Sequence, residues 1–371
     1  MKARAMVQVG DRRLEMEERE IPAVGAEEGL LRVETCGLCG SDIEQYRGHF
    51  VQKGLVRYPL IPGHEPIGRI AELGPVAAKS WGVKVGDRVA LEPHLSCGRC
   101  HACSRGSYHL CKSLLPINPA AYGYLPLDFG HGLWGGYSEY IHLHARTRLH
   151  KLPEQLPLAI AAMYQLLAAG IRWSVHVPKT SFGDTVLILG CGQRGLGSVI
   201  ACASAGVGNI IVTGLARDAH KLALARDLGA HATIVADREN VVKRVMELTG
   251  NRGADVVVDL TPVATQPIVD AVDAVRVGGT IVLAGIKGGS ATVPLDSDRI
   301  VVKELTVQGV FTQAGAAYEQ AISLLSRDSA KFTRMHTHDF PLHRAAEAIE
   351  TLAGERPDSE AICVSLSPET S

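Results

Sequence analysis

The chain has 371 residues, with 38 Lys and Arg against 39 Asp and Glu, so its formal net charge is −1. That near balance, without a basic run, gives no electrostatic footprint for nucleic acid or an anionic membrane. Hydrophobic residues at 46% and charged residues at 21% exclude a disordered polymer, and the length allows two or three domains at ~100–200 residues each.

Residues 1–150 read as β-rich, with short apolar or alternating runs at 30–33, 67–73, 88–91 and 138–141 between Gly and Pro punctuation. The opening MKARAMVQVGDRRLEMEERE alternates charge and has no apolar h-region, so no secretory leader is expected. A helical Ala/Leu-rich stretch follows at 156–173. Its apolar core, 158–171, is 14 residues long and interrupted by Gln165, short of the ~20 needed to span a membrane. The closing SLSPETS carries no lipidation signal. The expectation is a cytoplasmic protein.

Strands and helices then alternate. Strands are expected at 185–189, 209–213, 233–235, 255–259 and 280–284, with helices at 196–205, 219–228, 240–249 and 267–275 between them. Residues 305–311 supply a last strand of this series. Helices at 318–325 and 345–352 lead to a final strand at 361–366. Unbroken runs such as VVVD and IVLAG belong to strands covered on both faces, hence to a parallel sheet. The expected fold class is α/β.

Nine cysteines without a secretory leader favour metal ligation or buried thiols over disulfides. Four of them, Cys97, Cys100, Cys103 and Cys111, fall within 15 residues at intervals of two, two and seven. Four thiolates so spaced can wrap one tetrahedral structural zinc. The spacing also suits an iron–sulfur cluster, but nothing else in the chain calls for electron transfer.

Two dispersed pieces, CGLCGSD at 36–42 and PGHEPIG at 62–68, supply a thiolate, an imidazole and a carboxylate, which are suitable ligands for a catalytic zinc. Alone, the Cys-x-x-Cys could be redox-active and the His-Glu an ordinary polar pair. The run VLILGCGQRGLG at 186–197 follows a buried strand and opens a helix, the context of a dinucleotide-binding turn. There Gly190 permits the turn, Gly192 lets the backbone approach a pyrophosphate, and Gly195 allows close helix–strand packing.

With KVGDRV at 84–89, GGYSEY at 135–140 and Gly74 six positions after GHEPIG, these motifs occur in one order along nearly the whole chain. In that order they resemble the zinc-dependent medium-chain alcohol dehydrogenase family, nearest its sorbitol and threonine dehydrogenase branches. The resemblance implies a Rossmann doubly wound parallel sheet plus a β-rich GroES-like catalytic domain, with a cleft between them. It implies a catalytic domain at 1–154 with a structural zinc lobe at about 95–113, a dinucleotide domain at 155–312, and a return segment at 313–371.

The resemblance also assigns roles. Cys39, not Cys36, matches the catalytic-zinc thiolate, His64 the imidazole, and Glu65 the carboxylate that ligates or exchanges. Asp42 matches the acid that orients the imidazole, and Ser41 the hydroxyl that takes the substrate proton as hydride leaves. Gly190, Gly192, Gln193, Arg194 and Gly195 would cradle the pyrophosphate, and Gly285 with Ile286 would meet the nicotinamide. Two zincs per chain, NAD or NADP, a small alcohol or carbonyl substrate and a homodimer or homotetramer built through residues ~290–310 are implied.

Three positions depart from the family pattern. Gln165 stands where relatives carry a further Cys or Glu ligand, and a neutral carbonyl binds zinc more weakly. Glu44 stands where many relatives place the His that ends the proton relay, with His49 nearby. Gly214 replaces the acid that binds the adenosine ribose. Arg217 and Lys221 beside it would accommodate the extra phosphate of NADP, whereas Asp218 would select NAD. The leading expectation is a zinc-dependent dehydrogenase of a secondary alcohol, polyol or related hydroxyl compound. The alternatives are a zinc-poor reductase of a quinone or enone, and a dinucleotide-binding protein without catalysis.

Overall fold

Two sequence textures give two kinds of sheet, each in its own compact unit: Met1–Gln165 with Ile322–Ser371, and Leu166–Ala321. The computed structural model describes residues 1–112, 120–288, 291–357 and 359–368. Residue 113 of the expected lobe, residue 290 of the expected subunit edge, and 358 and 369–371 of the return segment lie outside them.

The strands in chain order are β1 (Lys2–Gly10), β2 (Arg13–Glu20), β3 (Gly29–Gly37), β4 (Glu65–Leu73), β5 (Arg88–Leu91), β6 (Tyr140–Leu143), β7 (Leu149–Lys151), β8 (Thr185–Leu189), β9 (Asn209–Gly214), β10 (Ala232–Val235), β11 (Ala254–Asp259), β12 (Val275–Leu283), β13 (Thr306–Gly309), β14 (His336–Pro341) and β15 (Cys363–Ser367). In the first unit a seven-stranded sheet runs β14-β15-β3-β4-β5-β7, with β6 also paired to β3, and β1 and β2 form a separate hairpin. Its strands are largely buried and pack into two cores, one including Leu31, Val89, Tyr122, Trp134 and Ile141 and the other Cys36, Val364 and Leu366. This is the β-rich GroES-like domain.

In the second unit every strand pair is parallel, in the order β10-β9-β8-β11-β12-β13. The apolar runs of β8 and β11 are buried along their whole length, as strands covered by helices on both faces must be. The order reverses between β8 and β11, which is the doubly wound Rossmann arrangement. In sheets of this kind ligands bind at that point, beyond the carboxyl ends of the strands.

Several elements escape the sequence reading. No strand was expected before residue 30, yet β1 and β2 span residues 2–20. The β2 sequence RLEMEERE is mostly solvent-facing, so it carries no apolar period. The short helices Gly40–Tyr46 and Pro75–Trp81 and the His-rich strand β14 were also unread. β12 starts at Val275, five residues before the expected strand, because the helix Gln266–Ala274 passes directly into it. The apolar helical run extends from Leu158 to His176, finishing in a π-helical turn at Arg172–His176. By length and composition it could cross a membrane, but 78% of its apolar window is buried inside the protein, as in a core helix.

Asp255 ties the lower ends of three strands. It is 7% exposed and accepts the Thr185 N–H at 2.8 Å, Arg276 Nε at 2.6 Å and Arg252 Nη2 at 3.1 Å. Burial alone would raise its proton affinity, but the Thr185 N–H and the two guanidinium groups outweigh it and lower the pKa. A depressed carboxyl contributes stability above its unfolded value of ~3.9 and loses it as pH falls through the folded value. Asp255→Asn is therefore expected to cost about 1–3 kcal/mol in urea unfolding at neutral pH. The deficit relative to wild type should shrink below the unfolded value; a constant deficit down to acid pH would refute the charge argument.

Candidate active site

The first unit gathers its reactive side chains at the exit of β3. The chain leaves Gly37 and turns into the helix Gly40–Tyr46, with Cys39 as the extended cap residue. Asp42 closes this turn by accepting the Cys39 N–H at 2.8 Å with one carboxylate oxygen. Its other oxygen lies 3.5 Å from Nδ1 of His64. His64 arrives from the opposite side, just before β4, on a turn where Gly63 has φ +91° and a Cβ would sit 2.4 Å from the Tyr137 ring. Only glycine fits there.

Cys39 Sγ is 3.2 Å from His64 Nε2 and 2.7 Å from Ser41 Oγ, and Ser41 Oγ is 3.3 Å from the same nitrogen. Glu65 Oε1 lies 3.8 Å from His64 Nε2. Thus one atom each from Cys39, His64 and Glu65 lies within 4.8 Å of the others, and the three residues are 2%, 6% and 1% exposed. A thiol, an imidazole and a carboxylate brought together in a dry pocket fit a zinc ion and are costly to bury without one. Burial works against a charged His64, but Tyr124, Asp42 and Cys39 outweigh it and raise its proton affinity. Ligation must displace that proton, so metal uptake strengthens as pH rises.

Other predicted residues fall around this group. Cys36 lies in the core, where burial pushes its thiol well above the usual range. The Gln165 side-chain nitrogen donates to the His64 carbonyl at 2.6 Å and to the Tyr164 hydroxyl at 3.0 Å. Glu44 binds His49 Nδ1 at 2.7 Å and approaches Arg47 at 3.5 Å. Tyr124, which sequence reasoning missed, places its hydroxyl 3.4 Å from His64 Nδ1 and its ring 6.0 Å from that of Phe50. No motif marks it, and only the fold brings it there. Tyr46, Tyr122 and Trp134 are core residues.

The four lobe cysteines also converge. Sulfur separations of 3.5, 3.8 and 3.9 Å match the ~3.8 Å edge of a tetrahedron with ~2.3 Å zinc–sulfur bonds. The Cys97 N–H donates to Cys111 Sγ and the Cys100 N–H to Cys97 Sγ, both at 3.3 Å, which favours thiolates. Backbone donors at Arg99 and Cys100 lower the Cys97 pKa to about 6.

In the second unit the turn after β8 puts Gly190 at φ +104°, and the helix Gln193–Ser204 starts from Gly192. A Cβ at Gly195 would lie 2.0 Å from the Gly190 carbonyl oxygen, while one at Gly192 would meet nothing within 4 Å. The helix start therefore offers an open cradle of N–H groups for a pyrophosphate. Gln193 and Arg194 form its first turn, with the Arg194 guanidinium 5.2 Å from the Trp173 ring centre. At the end of β9, Gly214 is buried and a Cβ there would lie 2.5 Å from Cys191 Sγ. Asp218 accepts the Leu215 N–H at 3.3 Å and pairs with Lys221 at 3.2 Å, while Arg217 is exposed. Beyond β12, Gly285 donates its N–H to Asp259, and Ile286 is 68% exposed. Sequence reasoning also missed the buried Asp259, which pairs with Lys287 at 2.7 Å beside Thr261 at the head of β11.

Taking a hydride from a carbinol carbon requires an acceptor and a Lewis acid at the oxygen. This chain has a fitting place for each, which defines a metal-assisted dehydrogenase. Residues 25–154 match the alcohol dehydrogenase GroES-like domain and residues 195–327 the zinc-binding dehydrogenase domain. A Mycobacterium tuberculosis chain of the alcohol dehydrogenase type is 40% identical over 95% of both chains. The erythritol/L-threitol dehydrogenase of Mycolicibacterium smegmatis is 32% identical over 99% of this chain and 98% of its own. A zinc-binding dehydrogenase-type structure from Sinorhizobium meliloti with bound NADP superposes with a TM-score of 0.86, at 26% identity, covering 99% of this chain and 100% of its own. The chain belongs to the zinc-binding medium-chain alcohol dehydrogenase family. It is an NAD(P)-dependent oxidoreductase acting on CH–OH groups.

Because Asp42 holds both the Cys39 turn and the His64 ring, Asp42→Asn is expected to weaken zinc binding at this group about 10–100-fold. Competition with a chromogenic chelator measures this; unchanged affinity would remove Asp42 from the site.

Proposed function

We propose that the chain oxidises a small secondary alcohol or polyol to its carbonyl compound, with the adjacent Cys39, Ser41 and His64 at the reacting oxygen. The observation that carries this reading is the convergence of Sγ, Oγ and Nε2 of these residues within 2.7–3.3 Å of one another. Cys39, His64 and Glu65 would hold the catalytic zinc and the four lobe cysteines the structural one, two per chain. When bound, the zinc polarises the alcohol oxygen and the nicotinamide accepts the hydride.

Ser41 receives the hydroxyl proton as the carbonyl forms. Glu44 lies one helical turn further on, and its contact with His49 gives the proton an exit to solvent. Asp42 and Gln165 are positioning residues: Asp42 fixes the His64 tautomer, and the Gln165 amide nitrogen anchors the His64 carbonyl. The nucleotide is bound by Gly190, Gly192, Gln193, Arg194 and Gly195 at the pyrophosphate and by Gly285 and Ile286 at the nicotinamide.

NADP is the preferred form. No acid ends β9, Asp218 is engaged by Leu215 and Lys221, and exposed Arg217 is left to meet the 2′-phosphate. On this reading residues 1–154 with 313–371 carry the catalytic role and 155–312 the nucleotide-binding role. An edge formed by exposed Val301, Val302 and Phe311 beside β13 supports a homo-oligomer.

Secondary alcohols and polyols assayed with NADP and NAD in parallel should turn over faster with NADP. Turnover only on quinones or enones would instead favour the zinc-poor reductase. Ser41→Ala should lower kcat about 100-fold with little change in zinc content. An unchanged kcat would take Ser41 out of the proton path.

A further inference from the structure

A second set of metal-type donors lies in the first unit, away from the residues assigned above. His142, on β6, is paired in register with Leu30 of β3, and its side chain is wholly buried. Neither ring nitrogen of His142 has a hydrogen-bond partner among the described residues. A buried imidazole normally satisfies its N–H and its lone pair. Nε2 instead faces Glu28 Oε2 at 3.3 Å, outside hydrogen-bonding geometry. Glu28 sits immediately before β3, and the same oxygen accepts the Gly25 N–H at 3.1 Å.

A third segment completes the group. The His131 ring lies 4.8 Å from that of His142, tilted by 58°. One ligand atom from each of Glu28, His131 and His142 lies within 4.8 Å of the others. The edge of a tetrahedral site with ~2.0–2.1 Å bonds is ~3.4 Å. A side-chain rotation of the exposed His131 closes the difference. His144, two residues along, is committed elsewhere, its Nδ1 accepting the Arg146 N–H at 3.0 Å.

We propose that Glu28, His131 and His142 form a further zinc site, separate from the Cys₄ lobe and from the Cys39 group. Two imidazoles and one carboxylate select zinc or a neighbouring first-row divalent ion over calcium or magnesium, which favour all-oxygen shells. Three protein ligands leave one position to water, and His131 opens it to solvent. The ion is therefore exchangeable, and it ties the His131 segment to the β3–β6 pair. The Trp134 ring, perpendicular to that of His142 at 5.3 Å, reports on occupancy.

The test is zinc content after equilibrium dialysis of the intact protein against micromolar free zinc. Wild type, His131→Ala and Glu28→Gln are compared, with tryptophan fluorescence followed in parallel. Wild type is expected to retain one more zinc per chain than either variant. Zinc should also perturb wild-type fluorescence but not that of His131→Ala. His131 is exposed, so its loss leaves the core intact; His142→Gln is a third arm if it folds. The difference of one equivalent holds whether or not the Cys39 group is filled, so this result and the proposed alcohol chemistry fail separately. Equal zinc content across the free-zinc range would overturn the site.

Discussion

One buried carboxylate organises the reacting end of this molecule. Asp42 closes the first turn of the helix Gly40–Tyr46 through the Cys39 N–H and faces Nδ1 of His64 with its other oxygen. Cys39 and His64 are 25 residues apart and belong to different strand ends, so their meeting has no local cause. A carboxylate that is 2% exposed in this position needs both contacts to offset its own desolvation. The thiol and the ring therefore occupy fixed places before any ligand arrives. Gly63 and Gln165 complete the restraint from the backbone side of His64.

The second unit solves a different problem with the same economy. Its strand order reverses between β8 and β11, leaving no crossover above that point. A glycine turn and a helix start stand on one side of the gap, and the Asp259–Lys287 pair with Thr261 stands on the other. Backbone N–H groups at a helix start attract phosphate, so such a cradle needs few charged side chains.

What was legible in the sequence was whatever has a local signature. The four lobe cysteines and the glycine turn are compact motifs, and the Val/Ile runs of β8 and β11 could belong only to covered strands. β2 was illegible because its charged residues face water on both sides, and β14 because histidines replace its apolar residues. The helix Gly40–Tyr46 is cut from a Cys/Gly/Ser segment with little helical propensity and is held by Asp42 and Gln45. Tyr124, Lys287 and the Glu28–His131–His142 group join residues from distant segments, so no window of sequence contains them. Gln165 was legible as a departure from its relatives, but its bond to the His64 carbonyl was not.

The packing beneath Gly214 restricts what can stand there. Cys191 Sγ and Leu222 Cδ2 occupy the space that a side chain at 214 would take, at 2.5 and 3.0 Å from its Cβ. An acidic residue that would bind the ribose hydroxyls fits there only if both side chains give way. Cys191 lies inside the glycine turn itself, so enlarging residue 214 strains that turn at the same time. The end of β9 and the turn after β8 are thus mechanically coupled through one sulfur atom, and a substitution at either is felt at both.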